Sequence, residues 1–267
     1  MLKISIGFLG SAVLVLSLFP LTAAASEKPI QNGEQVRIDY VCRLKNGAVA
    51  AATYPDGALV AEDRRADIYL PLKNAAPVEG QAGQEPVVKG ATPFDFADAI
   101  ATQLTRAVVG LVPGQLHAVE VAAGNVPVKP SGTLRLARMR RRPKQLRMAA
   151  DEFRQRTGKE PAVGGELTFD PAVPGEVVAV NGQEVVIKYR ATVGDRIDTP
   201  FGPALVSADE HHYLLTIAVE RGALVRSGAM VGRIVEMDEQ TFTVDYGHPL
   251  AGEDLTCDVT VTRGEEG

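Results

Sequence analysis

Near its C-terminal end the chain reads Leu255-Thr256-Cys257-Asp258-Val259-Thr260-Val261-Thr262, and apolar and polar side chains alternate along this run without a break. Successive side chains of a β-strand point to opposite faces, so this period of two predicts a strand with one face on a core. A similar run near the start ends at the turn dipeptide Asn46-Gly47 and has apolar side chains at alternate positions: Val36, Ile38, Tyr40, Cys42 and Leu44. Both ends of the chain therefore contribute strands.

Residues 96–110 predict an amphipathic helix. Apolar side chains recur there at three- and four-residue spacing: Phe96, Ile100, Leu104, Ala107, Val108 and Leu111. Gly110 ends this helix, and Pro113-Gly114 turns the chain into a strand near Gln115–Ala122. A helix combined with strands from both ends predicts an α+β domain whose sheet is completed by the C-terminus.

The middle of the chain predicts β-hairpins. Two apolar runs, 177–180 and 185–189, flank Asn181-Gly182, which is the strongest hairpin signal in the sequence. A second hairpin is expected at 230–246 around Asp238-Glu239, and residues 149–156 are expected to form a short helix. The segment 128–233 therefore predicts a β-rich module of its own, in which no repeat of fixed period is apparent.

Composition narrows the classes of function. Of 267 residues, 45% are hydrophobic and 23% are charged, which excludes a wholly disordered chain. The net charge of −5 gives no general case for nucleic-acid binding, and two cysteines are too few for a disulfide-rich scaffold or a four-cysteine zinc site. Aromatic residues make up only 5% of the chain and tryptophan is absent, so rings for an aromatic pocket are scarce.

The N-terminus predicts a secretory signal peptide over residues 1–25. Lys3 precedes an uncharged apolar run from Ile4 to Leu21, and Thr22-Ala23-Ala24-Ala25 supplies the small residues of a cleavage site after Ala25. A retained membrane anchor is the alternative, since the run approaches spanning length, but the Ala-x-Ala pattern favours cleavage. We therefore expect an exported protein, periplasmic or secreted, with no membrane association after cleavage.

A longer C-terminal segment resembles a known family. Residues 242–252 read Phe-Thr-Val-Asp-Tyr-Gly-His-Pro-Leu-Ala-Gly and run into the strand at 255–262. This segment is similar to the closing segment of SlyD-like FKBP-type peptidyl-prolyl cis-trans isomerases, roughly V-D-x-N-H-P-L-A-G-x-x-L-x-F-x-V. Residues 36–47, 100–114 and 115–124 resemble, in the same order, the family's tyrosine strand, its helix and turn, and the strand that leads to its A-Y-G motif.

The resemblance implies a division of the chain. It implies a discontinuous FKBP-like domain at 34–127 and 234–264, with an antiparallel sheet wrapped on one short helix. It further implies an enlarged, β-rich insert-in-flap domain at 128–233, which in this family is a chaperone module that holds unfolded chains. Tyr40 takes the role of the pocket tyrosine, Ile100 and Leu104 form aliphatic walls, and His248 belongs to the loop motif at the pocket rim.

Several family positions differ in this sequence. The pocket aspartate corresponds to Ala51, the tyrosine of the A-Y-G motif to Ala123, the phenylalanine of the last strand to Cys257, and the asparagine before the histidine to Gly247. These substitutions remove two hydrogen-bonding groups and one ring from the substrate-binding positions Tyr40, Ala51, Ala123 and Cys257. An apolar pocket catalyses by desolvating the X-Pro amide and favouring its twisted transition state, so weakened catalysis is expected.

Two functions follow from the resemblance. The first is an exported peptidyl-prolyl cis-trans isomerase, or rotamase, and protein-folding helper that acts on X-Pro bonds of unfolded or proline-containing exported polypeptides. The alternative is a non-catalytic chaperone or peptide-binding protein of FKBP-like fold. Neither function requires a cofactor or a metal, and nucleic acid is not expected as a partner. No Gly-x-Ser-x-Gly, His-Glu-x-x-His or phosphate-loop motif is present to support another enzyme class.

The same resemblance bears on the two cysteines. In the FKBP fold the strands that correspond to those of Cys42 and Cys257 are antiparallel neighbours, which brings the thiols toward disulfide distance, and exported proteins keep disulfides. Two independent buried thiols are the alternative, and the sequence leaves both open.

The remaining polar signals predict surface or structural residues. His211 and His212 are neighbours, whose side chains point to opposite faces of a strand, so they do not chelate one metal together. We interpret His117, His211 and His212 as structural or surface residues. An arginine-rich run at 135–147 is compatible with an acidic partner, lipid headgroups or nucleic acid, but a solvated surface is the simpler interpretation.

Overall fold

The computed structural model describes residues 28–53, 60–70, 77–85, 95–129, 132–168 and 173–264. The predicted signal peptide, residues 1–25, lies outside these described residues. The first part of the chain contains β1 (Gln35–Arg43), β2 (Val49–Ala52), β3 (Arg65–Leu70), β4 (Val78–Gln81), helix α1 (Phe96–Ala107) and β5 (Leu116–Val121).

Among the described residues, the middle part contains twelve strands and one helix, and one long strand follows it. They are β6 (Thr133–Ala137), β7 (Met139–Pro143), β8 (Gln145–Ala149), helix α2 (Ala150–Thr157), β9 (Glu166–Leu167), β10 (Gly175–Asn181), β11 (Glu184–Tyr189), β12 (Arg196–Thr199), β13 (Gly202–Ala208), β14 (His212–Ile217), β15 (Leu224–Ser227), β16 (Met230–Met237), β17 (Thr241–Asp245) and β18 (Leu255–Arg263). The described chain is therefore α+β and rich in strands, as the sequence predicted.

The first sheet joins the two ends of the chain. Its strand order is β3-β2-β1-β18-β5, and β4 pairs with the N-terminal half of β1. The last strand, β18, lies between β1 and β5 and is antiparallel to both. The alternate side chains of β1 and β18 that the sequence assigned to a core are buried, and helix α1 packs its apolar face into the same cluster. The prediction that the C-terminus completes this sheet is confirmed.

Two predicted elements are shorter than expected. Helix α1 ends at Ala107 instead of residue 110, because Val108 is already its C-terminal cap and Gly110 adopts a positive φ of 86°. Strand β5 covers Leu116–Val121, one residue less at each end than the pattern indicated. The predicted hairpins at 177–189 and 230–246 and the short helix near 149–156 are confirmed as β10–β11, β16–β17 and α2.

The middle part forms three four-stranded sheets with the same strand order. We call them the inner module (β8-β11-β10-β9), the middle module (β7-β14-β13-β12) and the outer module (β6-β17-β16-β15). The chain passes through β6, β7 and β8 in succession, then completes the inner, the middle and finally the outer module. Each module is thus inserted within the next, and all three contribute side chains to one hydrophobic cluster.

Each of the three modules also contains the same type of turn. In the inner module the Gly164 N–H donates to the Val177 carbonyl at 2.8 Å and the Val177 N–H donates to the Gly165 carbonyl at 2.9 Å. Gly194 with Val206 in the middle module, and Gly222 with Ile234 in the outer module, repeat this pattern. The three glycines have φ values of +83°, +95° and +88°. Their recurrence identifies a structural repeat that the sequence did not reveal, because its spacing is uneven.

Because the turn recurs in each module, substitutions at its three glycines are expected to lower the free energy of unfolding equally. Replacing Gly164, Gly194 or Gly222 with alanine is expected to lower the free energy of unfolding by about 1 kcal/mol each, because a side chain disfavours the left-handed backbone region. Urea unfolding measures the change. Gly124→Ala is the matched control, since Gly124 lacks a positive φ and has open space around its Cα. A loss at only one of the three glycines would contradict their equivalence.

Residues 234–245 belong to the outer module by strand pairing. The sequence grouped them with 246–264, but β16 and β17 hydrogen-bond to each other and β17 pairs with β6. The outer module also contacts the first sheet, because Val231 is buried in that sheet's core cluster and the Phe96 N–H donates to the Ala229 carbonyl at 3.3 Å.

Candidate functional site

The residues that the resemblance assigns to the pocket lie together in the core of the first sheet. Tyr40 on β1 is 3% exposed, and Ile100 and Leu104 on α1 are fully buried. All three belong to one cluster with Phe96, the first residue of α1. The structure thus brings these three side chains together in one buried cluster.

Tyr40 is fixed by both its side chain and its backbone. Burial raises the pKa of the Tyr40 phenol well above its ordinary value, so the hydroxyl stays protonated. The Tyr40 N–H donates to Thr53 Oγ1 at 2.8 Å, and Thr53 Oγ1 in turn donates to Asp39 Oδ1 at 3.1 Å. Thr53 is 3% exposed and holds the end of β2 against β1. No pattern in the sequence indicates this role, because Thr53 ends a run of small apolar residues.

Ala51 and Cys257 lie in line across three strands. Cys42 on β1 stands opposite Cys257 on β18 and opposite Ala51 on β2. Cys42 and Cys257 form a disulfide with their Cα atoms 4.0 Å apart, and both are fully buried. Of the two alternatives left open by the sequence, the structure has the disulfide. The position that the resemblance gives to a ring thus holds a sulfur cross-link, beside the small side chain of Ala51.

Ala123 and His248 form a hydrogen-bonded rim at the end of β5. His248 Nδ1 accepts from the Leu250 N–H at 3.0 Å, so its Nε2 carries the proton that is donated to the Ala123 carbonyl at 3.2 Å. The Ala123 N–H donates to Asp254 Oδ1 at 2.9 Å, and this bond lowers the pKa of Asp254. His248 acts here as a structural link that joins the segment after β5 to the segment before β18.

A cleft of about 190 Å³ lies beside α1. It is lined by Glu85, Asp98, Ala99, Thr102, Gln103, Arg106, Asn125, Val126, Pro127 and Pro249. Burial raises the pKa of Asp98, and the charges of Asp95 and Glu85 add to this effect. The Gln103 amide donates to the Ala122 carbonyl at 3.0 Å and accepts from the Ala122 N–H at 3.1 Å, which anchors one wall. The cleft has both polar and apolar walls, and it shares Ala99 with the core cluster that contains Tyr40.

The other histidines make local contacts. His117 Nε2 lies 3.0 Å from the Val112 carbonyl, and His212 Nδ1 lies 3.3 Å from Asp209 Oδ1. Across the described ranges, no group of three or more His, Cys, Asp or Glu side chains is placed to hold a metal ion. Within the same ranges, no helix has the length and apolar character needed to cross a membrane.

Comparison with known protein families and curated proteins finds no match to this chain.

Proposed function

We propose that this protein is an exported folding helper of FKBP-like architecture that holds client polypeptides on its three modules and isomerises X-Pro bonds weakly or not at all. The observation that carries this proposal is the packing of the expected pocket. Tyr40, Ala51, Ile100, Leu104 and Cys257 are each at most 3% exposed.

Burial of these residues bears directly on catalysis. Rotation about an X-Pro bond crosses a barrier of about 20 kcal/mol, and a pocket lowers this barrier only if the proline ring and the preceding amide enter it. Among the described residues, Tyr40, Ile100 and Leu104 expose too little surface to receive a proline ring without rearrangement. On this proposal the neutral phenol of Tyr40 stabilises the core instead of binding a substrate carbonyl.

Two features support the architecture and the location. Strand β18 lies between β1 and β5 with α1 packed on the sheet, and the three modules are inserted between β5 and β18, where the resemblance expects the client-holding insert. The disulfide between Cys42 and Cys257 favours an oxidising compartment, which agrees with the predicted export.

Isomerase activity is the second candidate. It is favoured by the convergence of Tyr40, Ile100 and Leu104 in one cluster, with Ala123 and His248 hydrogen-bonded to each other at the end of β5. On this alternative the protein would accelerate cis-to-trans conversion of proline peptides despite the alanines at 51 and 123.

One pair of measurements tests the proposal. A protease-free assay of proline-peptide isomerisation is expected to give a rate within about twofold of the buffer rate. In parallel, the full protein is expected to suppress aggregation of a reduced, unfolded client. Strong rate acceleration would instead support the isomerase, and absence of any suppression would contradict the holding role.

A further inference from the structure

Residues 133–149 form one continuous edge across all three modules. Strand β6 is an edge strand of the outer module, β7 of the middle module and β8 of the inner module. Arg138 links two modules, since its N–H donates to the Gln240 carbonyl and its own carbonyl accepts from the Ile217 N–H, both at 2.9 Å. Lys144 links the next two in the same way, through His211 at 2.8 Å and Tyr189 at 2.9 Å. The edge is therefore much longer than an ordinary strand.

Between residues 132 and 150, the even-numbered residues form backbone hydrogen bonds to the other strands of the modules. Hydrogen bonds run inward from Gly132, Arg138, Lys144 and Ala150, and antiparallel pairing alternates between bonded and non-bonded pairs. The odd-numbered residues therefore direct their N–H and C=O groups to the open side, except that Pro143 has no N–H. The Arg141 carbonyl on this side accepts a long hydrogen bond from Arg142 Nη1 at 3.4 Å. The described part of the chain pairs no strand with this side. Such an edge is a template for one more strand.

The side chains on this edge repeat every six residues. Arg135, Arg141 and Arg147 occupy the same place in β6, β7 and β8, opposite Thr243, Leu214 and Val186. All three arginines are exposed. Between residues 133 and 150 the chain has seven basic side chains and no acidic one, within a protein of net charge −5. The edge is thus a local basic strip on an acidic molecule.

The arginines of the strip remain accessible to new carboxylates. Arg135 pairs with Asp238 at 3.2 Å and Arg147 with Glu184 at 3.1 Å, and every partner is at least 45% exposed, so both pairs are weak. Arg141 has no carboxylate partner among the described residues. Arg140 and Lys144, on the other side of the ribbon, instead lie over the rings of Phe201 and Tyr213.

We propose that this edge binds an extended acidic polypeptide segment as an added β-strand. The backbone of the segment pairs with the open groups of the odd-numbered residues, and its carboxylates lie against Arg135, Arg141 and Arg147. The same charges oppose self-pairing of two copies, because like charges would then face each other. The inference deepens the proposed function, on which it rests for the identity of the segment as part of a client.

A labelled peptide as long as the edge, with Glu alternating with Thr and Val, is the probe. Fluorescence anisotropy with the full protein is expected to show binding that weakens as salt rises. The variant R135Q/R141Q/R147Q is expected to bind about tenfold more weakly. The control R196Q changes an exposed arginine on β12, the opposite edge of the middle module, and is expected to leave affinity unchanged.

Two further probes test how the segment binds. Replacing Glu with Gln in the peptide is expected to cost as much affinity as the triple variant, and N-methylation of alternate peptide amides is expected to abolish binding, since strand addition needs those donors. Equal affinity for the Glu and Gln peptides, or unchanged binding by the triple variant, would overturn the inference. So would binding of the arginines to anionic lipid vesicles but not to the peptide.

The outcome separates this inference from the function itself. If the triple variant still suppresses client aggregation and the peptide does not bind, only the basic edge site is refuted. If the peptide binds but aggregation is not suppressed, the edge site stands and the holding role is refuted.

Discussion

Replacing both Cys42 and Cys257 with alanine is expected to lower the free energy of unfolding by about 4 kcal/mol, which would be the largest effect of any change considered for this protein. The cysteines are 215 positions apart in sequence, so the disulfide closes a very long loop and strongly restricts the unfolded chain. It also cross-links β1 to β18, the two strands at the centre of the first sheet.

Guanidinium unfolding of the oxidised parent and of C42A/C257A measures this difference. As a control, the parent unfolded and refolded with reductant present should match the variant, and reductant should leave the variant unchanged. Because both sulfurs are fully buried, reductant is expected to act on the folded parent only slowly. Equal stability of the oxidised parent and the variant would show that β1 and β18 are held together without the disulfide.

Replacing Ala51 with aspartate is expected to destabilise the protein by about 3 kcal/mol at neutral pH, because it buries a carboxylate beside the disulfide. Ala51 is 2% exposed. The family that the sequence resembles carries an aspartate at the corresponding position, so this substitution also tests whether such a pocket can be created. We expect it to disrupt the core and not to create isomerase activity.

The pH dependence of the free energy of unfolding shows whether the buried charge causes the destabilisation by Ala51→Asp. Burial raises the pKa of an aspartate above its unfolded value of about 4, so the part of the Ala51→Asp penalty that comes from the buried charge is expected to be absent below that pH and to grow as pH rises. Ala51→Asn is the control, since it has the same size without the titration. Ala48→Asp, at a half-buried position, is expected to have a small effect. A stable Ala51→Asp protein that isomerises proline peptides would contradict the closed pocket.

The sequence predicted those elements whose pattern is local. Period-two alternation identified β1 and β18, three- and four-residue spacing identified α1, and Asn181-Gly182 identified the β10–β11 hairpin. In each case the side chains that face the core are neighbours along the chain. The α+β class followed from the same patterns.

Nested pairing could not be predicted in this way. The partners of β6 and β7 lie far along the chain, and the short arginine-rich strands 133–149 resemble a solvated surface when taken alone. The six-residue recurrence of Arg135, Arg141 and Arg147 was available in the sequence. It does not identify the modules by itself, because the strands of the three modules are interleaved along the chain.

The candidate site was predicted in its membership but not in its packing. Tyr40, Ile100 and Leu104 were grouped through the resemblance, yet whether a cluster is open or closed depends on the small side chains around it. Ala51 and the disulfide allow β1, β2 and β18 to pack closely at this point. The supporting residues Thr53 and Gln103 act through backbone groups of Tyr40 and Ala122, which no sequence pattern displays.

The nested order of the modules determines when each part of a newly made chain can fold. Emerging from its N-terminus, the chain can complete the inner module once Tyr189 is available, the middle module after Ile217 and the outer module after Asp245. The first sheet cannot be completed until β18 has been synthesised, although its other strands precede the modules in the chain. Domains tend to fold in the order of synthesis, yet here the earliest strands are the last to complete their sheet, and the disulfide can form only after Cys257 has been made.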